Sequence, residues 1–157
     1  MFNWLQSLFR VPVPVGPPAP LRSFTGAEKT ISRSDITAEA GSGGWRFSPK
    51  SAQTFRLFEV PAPGLEQCMI TYRAEMKSED LEGRGYLELW CRIPGRGEFF
   101  SKGLARPVRG STGWASYEVP FYLKTGQRAD MLKLNLTVEG AGIIWMKNIE
   151  LLRTSLR

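Results

Sequence analysis

The chain contains no histidine. Histidine is the one side chain whose unperturbed pKa lies near neutrality, and it is the commonest ligand for transition metals. Its absence excludes Ser-His-Asp and Cys-His catalysis, together with every zinc site that needs an imidazole. The two cysteines, Cys68 and Cys91, are too few to make a zinc site alone. No apolar run is long enough to span a bilayer, and after residue 20 no stretch keeps a 3.6-residue apolar period for the length of a helix. Nor are there paired carboxylates in a setting that would raise a pKa. Glu79, Asp80 and Glu82 share one hydrophilic, turn-like stretch, where no burial shifts them. No Gly-rich phosphate loop precedes a helix and no nucleophile has a plausible base, so a non-enzyme without a cofactor is expected.

What is present points to strands. At 157 residues, 42% of them hydrophobic, the chain supports one ordinary core. From Trp114 to Leu152 three alternating runs are separated by Gly-containing turns. Tyr117, Val119, Phe121 and Leu123 share one face of the first, and Leu132, Leu134, Leu136 and Val138 one face of the second, because successive strand side chains point to opposite sides. Upstream, short strands are expected over residues 29–37, 45–48, 54–60, 67–77, 85–93 and 95–104. The total of about nine, punctuated by 16 glycines and 11 prolines, predicts an all-β, antiparallel jelly-roll β-sandwich. Residues 67–77 and 85–93 read as a hairpin turning near 80–83, with Cys68 and Cys91 offset along it, which predicts buried, reduced thiols. The last strand changes phase. Ile144 and Met146 have one parity, Ile149 and Leu151 the other, so a β-bulge is expected near Lys147-Asn148.

The N-terminus differs in kind. On a helix, Phe2, Trp4, Leu5, Leu8 and Phe9 fill one side of residues 1–10, while Asn3, Gln6, Ser7 and Arg10 fill the other. Such a segment docks on a membrane surface or a partner, or lies against its own domain. It lacks the basic, apolar and small-residue regions of a secretory signal, so a cytoplasmic location is expected, with residues 1–10 as a route to a membrane. Residues 11–22 are rich in proline, which biases the chain toward extended conformations, and read as a semi-rigid linker; the sandwich domain is placed at 23–157.

The closing motif W-x-x-Y-x-V-P-F-x-L from Trp114, the alternating leucines, and G-x-G-x-x-W ending at Trp145 resemble the end of galactose-binding-like jelly rolls, including carbohydrate-binding modules. The stretch Ser78–Gly83, with Gly85–Cys91 and Gly95–Ser101, is more narrowly similar to an uncharacterised bacterial domain family of that superfamily. The resemblance covers roughly residues 25–152. It implies a fold and a non-catalytic binding role. Relatives often carry an acidic pair after the closing Trp-hydrophobic dipeptide, where an acid can help hold calcium. Here Lys147 and Asn148 stand there, and an ammonium is a poor neighbour for a dication that wants oxygen ligands, so no metal is expected.

Two constellations could bind a ligand. Tyr86, Glu88, Trp90 and Arg92 alternate outward along one strand, an aromatic platform with hydrogen-bonding neighbours that fits a sugar or anchors a protein; the same residues also serve as packing beneath a loop. Arg84, Arg96, Arg106 and Arg109 lie in a segment short of acids, two of them flanked by glycines, where loop backbone can approach an anion. An anionic membrane surface or acidic glycan fits them. A nucleic acid fits less well, because no recognised motif accompanies the charge. With 21 basic against 15 acidic residues spread along the chain, a mixed solvated surface accounts for the net charge of +6 as readily. Trp45, Trp114 and Trp145 read as plugs at strand ends, and of Phe99 and Phe100 one ring is expected inside and one outside. The alternative to sugar binding is an intracellular or membrane-peripheral interaction or scaffold domain that kept the sandwich and lost its sugar and calcium sites. Oligomeric state is left open.

Overall fold

Wherever the sequence alternates, the backbone is extended. A computed structural model of the chain describes residues 12–157 except 27, 40 and 42, and the docking candidates Phe2, Trp4, Leu5, Leu8 and Phe9 lie outside the described residues. Nine strands follow one another: β1 (Pro14–Phe24), β2 (Ile36–Glu39), β3 (Gly44–Phe47), β4 (Gln53–Leu65), β5 (Cys68–Ile93), β6 (Gly97–Lys102), β7 (Val108–Leu123), β8 (Ala129–Val138) and β9 (Ile143–Leu156). Every pairing is antiparallel. The hydrogen-bonded path runs β2-β3-β9-β5-β8-β4, with β1 beside β9 and both β6 and β7 beside β5. This is the expected antiparallel jelly roll.

β5 holds the two layers together. Its first half, Cys68 to Glu79, lies between β9 and β7, and its second half, Gly85 to Arg92, lies along β8, with β6 on its other side. The expected hairpin is therefore one 26-residue strand. The hydrophilic stretch taken for a turn is where β5 passes between layers, through register shifts between Met76 and Arg84 and positive φ at Asp80 (49°) and Gly83 (72°). Strands change sheets through such bulges and bends. Leu81, 5% exposed, closes the core at the crossing.

The expected number of strands is met by two differences that cancel. Two predicted strands merge into β5, and the Pro-rich stretch adds β1, which pairs with β9 from Pro14↔Leu156 to Phe24↔Ile149. The register slips at Gly16-Pro17-Pro18, where Gly16 adopts φ 78°. A strand with one paired neighbour tolerates prolines, because a missing N–H on the open side breaks no ladder.

The bulge in β9 is where the parity places it. Arg73 faces Glu150 while Glu75 faces Lys147, so β9 carries one extra residue, and Asn148 sits at φ 52°. Ile144, Met146, Ile149 and Leu151 consequently all point inward, each fully buried. The bulge also marks a change of neighbour, since β9 pairs with β3 over Ile144–Lys147 and with β1 from Ile149 onward.

Between the layers, Phe47, Phe55, Tyr72, Met76, Leu89, Leu132, Leu134 and Leu136 are among the fully buried side chains. Tyr72 donates its hydroxyl to the Asn135 carbonyl at 3.3 Å, satisfying its one polar atom. Cys68 and Cys91 are buried free thiols, and burial, with the nearby Cys68, pushes the Cys91 thiol up to about 12. Trp45 is a plug, 2% exposed, and packs edge-on against Phe58, which stacks on Phe24 at 3.9 Å. Trp114 and Trp145 are not plugs: Trp114 is 36% exposed and Trp145 half-buried. Nor is either ring of the Phe99-Phe100 pair inside, because β6 pairs only with β5 and the core does not extend beneath it.

Candidate ligand-binding face

Register sets the outer face of the layer made by β4, β8, the second half of β5, and β6. Arg56, Asn135, Glu88 and Lys102 form one row of facing residues across it, and Glu59, Lys133, Trp90 and Phe100 the next. Those on β4, β8 and β5 alternate with core residues such as Phe55, Leu134, Leu87 and Leu89, so they point away from the core, and β6 extends the same rows at the edge.

Glu88 is the centre of this face. It is 6% exposed and collects three donors: the Trp90 Nε1–H at 2.5 Å, the Asn135 amide at 3.3 Å and the Thr137 hydroxyl at 3.3 Å. Lys102 Nζ stands 4.0 Å away, supplying a partner for a carboxylate that burial would otherwise penalise. The bond to Glu88 fixes the half-buried Trp90 indole, whose ring centroid lies 5.0 Å from that of the exposed Phe100. Lys102 in turn lies over the Phe100 ring at 4.9 Å. A concavity of about 280 Å³ opens above this floor. Trp90, Asn135 and Lys133 line it from the sheet, and Ile31 from a segment hydrogen-bonded to β4 through Leu57 and Arg56. Its charges are matched, with Lys133 on Glu98 at 2.5 Å and Arg56 on Glu59 at 3.0 Å. An aromatic ring beside closely spaced donors and acceptors can hold a ring with one apolar side and a rim of hydroxyls.

Of the four residues predicted for a platform, Glu88 and Trp90 line or support this concavity. Tyr86 lies one row beyond Glu88 and is 8% exposed. Arg92, at the far end, is held by Asp130 at 2.8 Å, and that guanidinium lowers the pKa of the Asp130 carboxyl. The four arginines considered for anions do not share one surface. Arg84 and Arg109 face each other on β5 and β7, with Arg84 clamped on Glu139 at 2.6 Å. The Arg84 side chain and its backbone N–H hold the Glu139 carboxyl down at about 2. Arg96 lies in the β5–β6 turn, and Arg106 rests over the Tyr117 ring at 5.0 Å. Asn135, Thr137, Lys133 and Glu98 were not singled out from the sequence. Their outward parity was readable, but nothing in the chain order says that they converge on Trp90.

On the opposite layer, at the bulge, the Asn148 amide donates to Glu75 and Lys147 lies over Trp114 at 4.2 Å. Of the two carboxylates there, Glu75 is bonded to an amide and Glu150 is paired with Arg73, and with an ammonium beside them they do not fit the oxygen cage that calcium requires.

No protein-family model matches the sequence, and no curated protein matches it. Solved structures do. A family 16 carbohydrate-binding module superposes at TM-score 0.51 with 11% identity, over 74% of this chain and 84% of that one. The CBM22-1–GH10 modules of Clostridium thermocellum xylanase 10B, complexed with xylohexaose, match at 0.50 and 9%, over 73% of this chain and 22% of that one. A protein of the T13 particle of infectious bursal disease virus matches at 0.53 and 12%, over 86% and 30%. The fold is thus the jelly roll of carbohydrate-binding modules, shared with a viral particle protein.

Proposed function

We propose that this chain is a non-catalytic carbohydrate-binding module whose ligand lies in the concavity over β4, β8, β5 and β6. The observation that carries the reading is Trp90, a half-buried indole whose N–H is tied to buried Glu88, so that the ring is pre-positioned in a cleft rimmed by amide, hydroxyl and paired charges. A rigid aromatic floor binds with little ordering cost. The shared fold with a module complexed with xylohexaose supports a sugar polymer as the class of ligand. Affinity electrophoresis through gels containing soluble xylan, mixed-linkage glucan or mannan tests it. At least one polymer should retard the wild type, and Trp90→Ala should lose about 2 kcal/mol, roughly 30-fold in Kd, with its melting temperature kept. Equal retardation of wild type and variant, or none by any polymer, overturns the reading.

A second reading, an interaction or scaffold domain that has lost sugar and calcium binding, is favoured by Lys147 and Asn148 standing where relatives carry acids. In either case residues 1–10 serve as the tether to a membrane or partner. Liposome co-sedimentation of the full chain against one lacking residues 1–11 tests that role; the cut stops there because residues from Pro14 onward belong to β1. No helix among the described residues is long and apolar enough to cross a membrane.

A further inference from the structure

The outer face of the other layer carries a ladder of cations and indoles. Arg46 on β3, Trp145 on β9 and Lys77 on β5 are facing residues in one row, and Trp114 of β7 continues it. Lys77 Nζ lies 4.6 Å from the Trp145 ring centroid and 5.2 Å from that of Trp114. Lys147, in the adjoining row, lies 4.2 Å from the Trp114 centroid, and Arg46 lies 6.0 Å from that of Trp145. Among the described residues none of these three cations is ion-paired. An indole face orients a cation without cancelling its charge, so the ladder keeps three positive charges on three neighbouring strands, in two adjoining rows, over a width of about 10 Å at 4.8 Å per strand.

We propose that this ladder is a second binding face, separate from the Trp90 cleft, and that it takes an anionic glycan. Its acid groups would pair with Lys77, Lys147 and Arg46, and the apolar sides of its sugar rings would lie along Trp114 and Trp145. Three observations select that ligand. The uncancelled cations demand a polyanion. Next to them, Glu75 and Ser116 face each other in the row of Lys147, and with Asn148 they line a small concavity, offering donors and acceptors to hydroxyls. Carboxylates at Glu75 and Glu150 in that concavity add acceptors for sugar hydroxyls, which a phosphate backbone does not offer in number. The indole faces are covered by ammonium groups, Lys77 and Lys147 over Trp114 and Lys77 over Trp145, which a membrane-inserting side chain would have to carry into the bilayer.

The test uses the full chain and four probes: polygalacturonate, heparin, vesicles of phosphatidylserine in phosphatidylcholine, and a single-stranded oligothymidylate. Polygalacturonate or heparin should bind, more weakly as salt rises, and the two distinguish carboxylate from sulfate recognition. Lys77→Ala/Lys147→Ala should weaken that binding about tenfold or more, while Trp90→Ala leaves it unchanged. The cleft reading can therefore fail without this one, and the reverse. Lys147→Gln alone should give an intermediate loss, which keeps the test valid if the double variant folds poorly. The proposal is overturned if neither acidic glycan binds, if binding is indifferent to both lysine substitutions, or if only the vesicles or the oligonucleotide bind.

Discussion

The two outer faces of this sandwich use the same side chains differently. Over β4, β8, β5 and β6, Lys133, Arg56, Lys102 and Arg92 each stand against a carboxylate, and Trp90 donates to one. Over β3, β9, β5 and β7, Arg46, Lys77 and Lys147 lie on indoles, and the nearest ion pair in the sheet, Arg73 with Glu150, sits beyond the bulge at Asn148. The difference decides what each face can do. A carboxylate cancels a cation at long range, leaving local hydrogen bonds that suit hydroxyls. An indole leaves the charge intact, and a row of such pairs presents a positive strip to anything anionic.

The strongest way to break the contrast is to unpair the cleft. Glu88→Ala removes the acceptor of Trp90, Asn135 and Thr137 together. Leaving buried donors unmatched costs about 1–3 kcal/mol, so the urea midpoint should fall accordingly, and retardation by a neutral polymer should be lost with it. Glu88→Gln keeps one acceptor oxygen and should recover part of both. If Glu88→Ala were as stable as wild type, the carboxylate would not be organising this face.

How much of this was legible in the sequence depends on what each residue needed to know. The bulge was readable because parity is a local property: Ile144 and Met146 against Ile149 and Leu151 admit only an inserted residue. The same parity put Trp145 and Lys147 on the outside, although residue type alone suggested a structural plug. The continuity of β5 is not legible because Ser78-Glu79-Asp80-Leu81-Glu82-Gly83-Arg84 has the composition of a hairpin turn, and only tertiary packing makes such a stretch continue into the other layer. The Pro-rich stretch hides its pairing for a related reason, since an extended spacer and a strand with one open side share backbone angles and differ only in whether β9 lies alongside. Trp90 was legible as a candidate, but Asn135, Lys133 and Glu98 were not, because register across three strands brings them to it.

Acid sharpens the contrast from the side of the paired charges. The Glu139 carboxyl, bonded by Arg84, is held down at about 2 from an ordinary value of 4.5. A carboxyl depressed on folding contributes stability that is fully present above its unfolded value and is lost as pH falls through the folded one. Thermal stability should therefore decline between about pH 4.5 and 2, and Glu139→Gln should flatten that part of the profile by lowering stability at pH 7 while leaving it close to wild type near pH 2. Both side chains are about one-third exposed, at 35% each, so the effect should be smaller than that of Glu88→Ala. An unchanged acid limb in Glu139→Gln would assign it to other carboxylates.

The smallest expected effect separates the two kinds of pairing most directly. Lys77 Nζ lies near both Trp114 and Trp145, so Lys77→Ala should cost about 0.5–1 kcal/mol. That loss has two sources, the ammonium over the rings and the methylenes beside them. Lys77→Met keeps an unbranched apolar stem and removes the charge. If the ladder is an electrostatic device, Met should restore the stability lost in Ala while remaining as poor as Ala in binding polygalacturonate or heparin. If Met instead binds the acidic glycan as wild type does, the indoles alone form the contact, and the contrast between the faces reduces to where their aromatic rings stand.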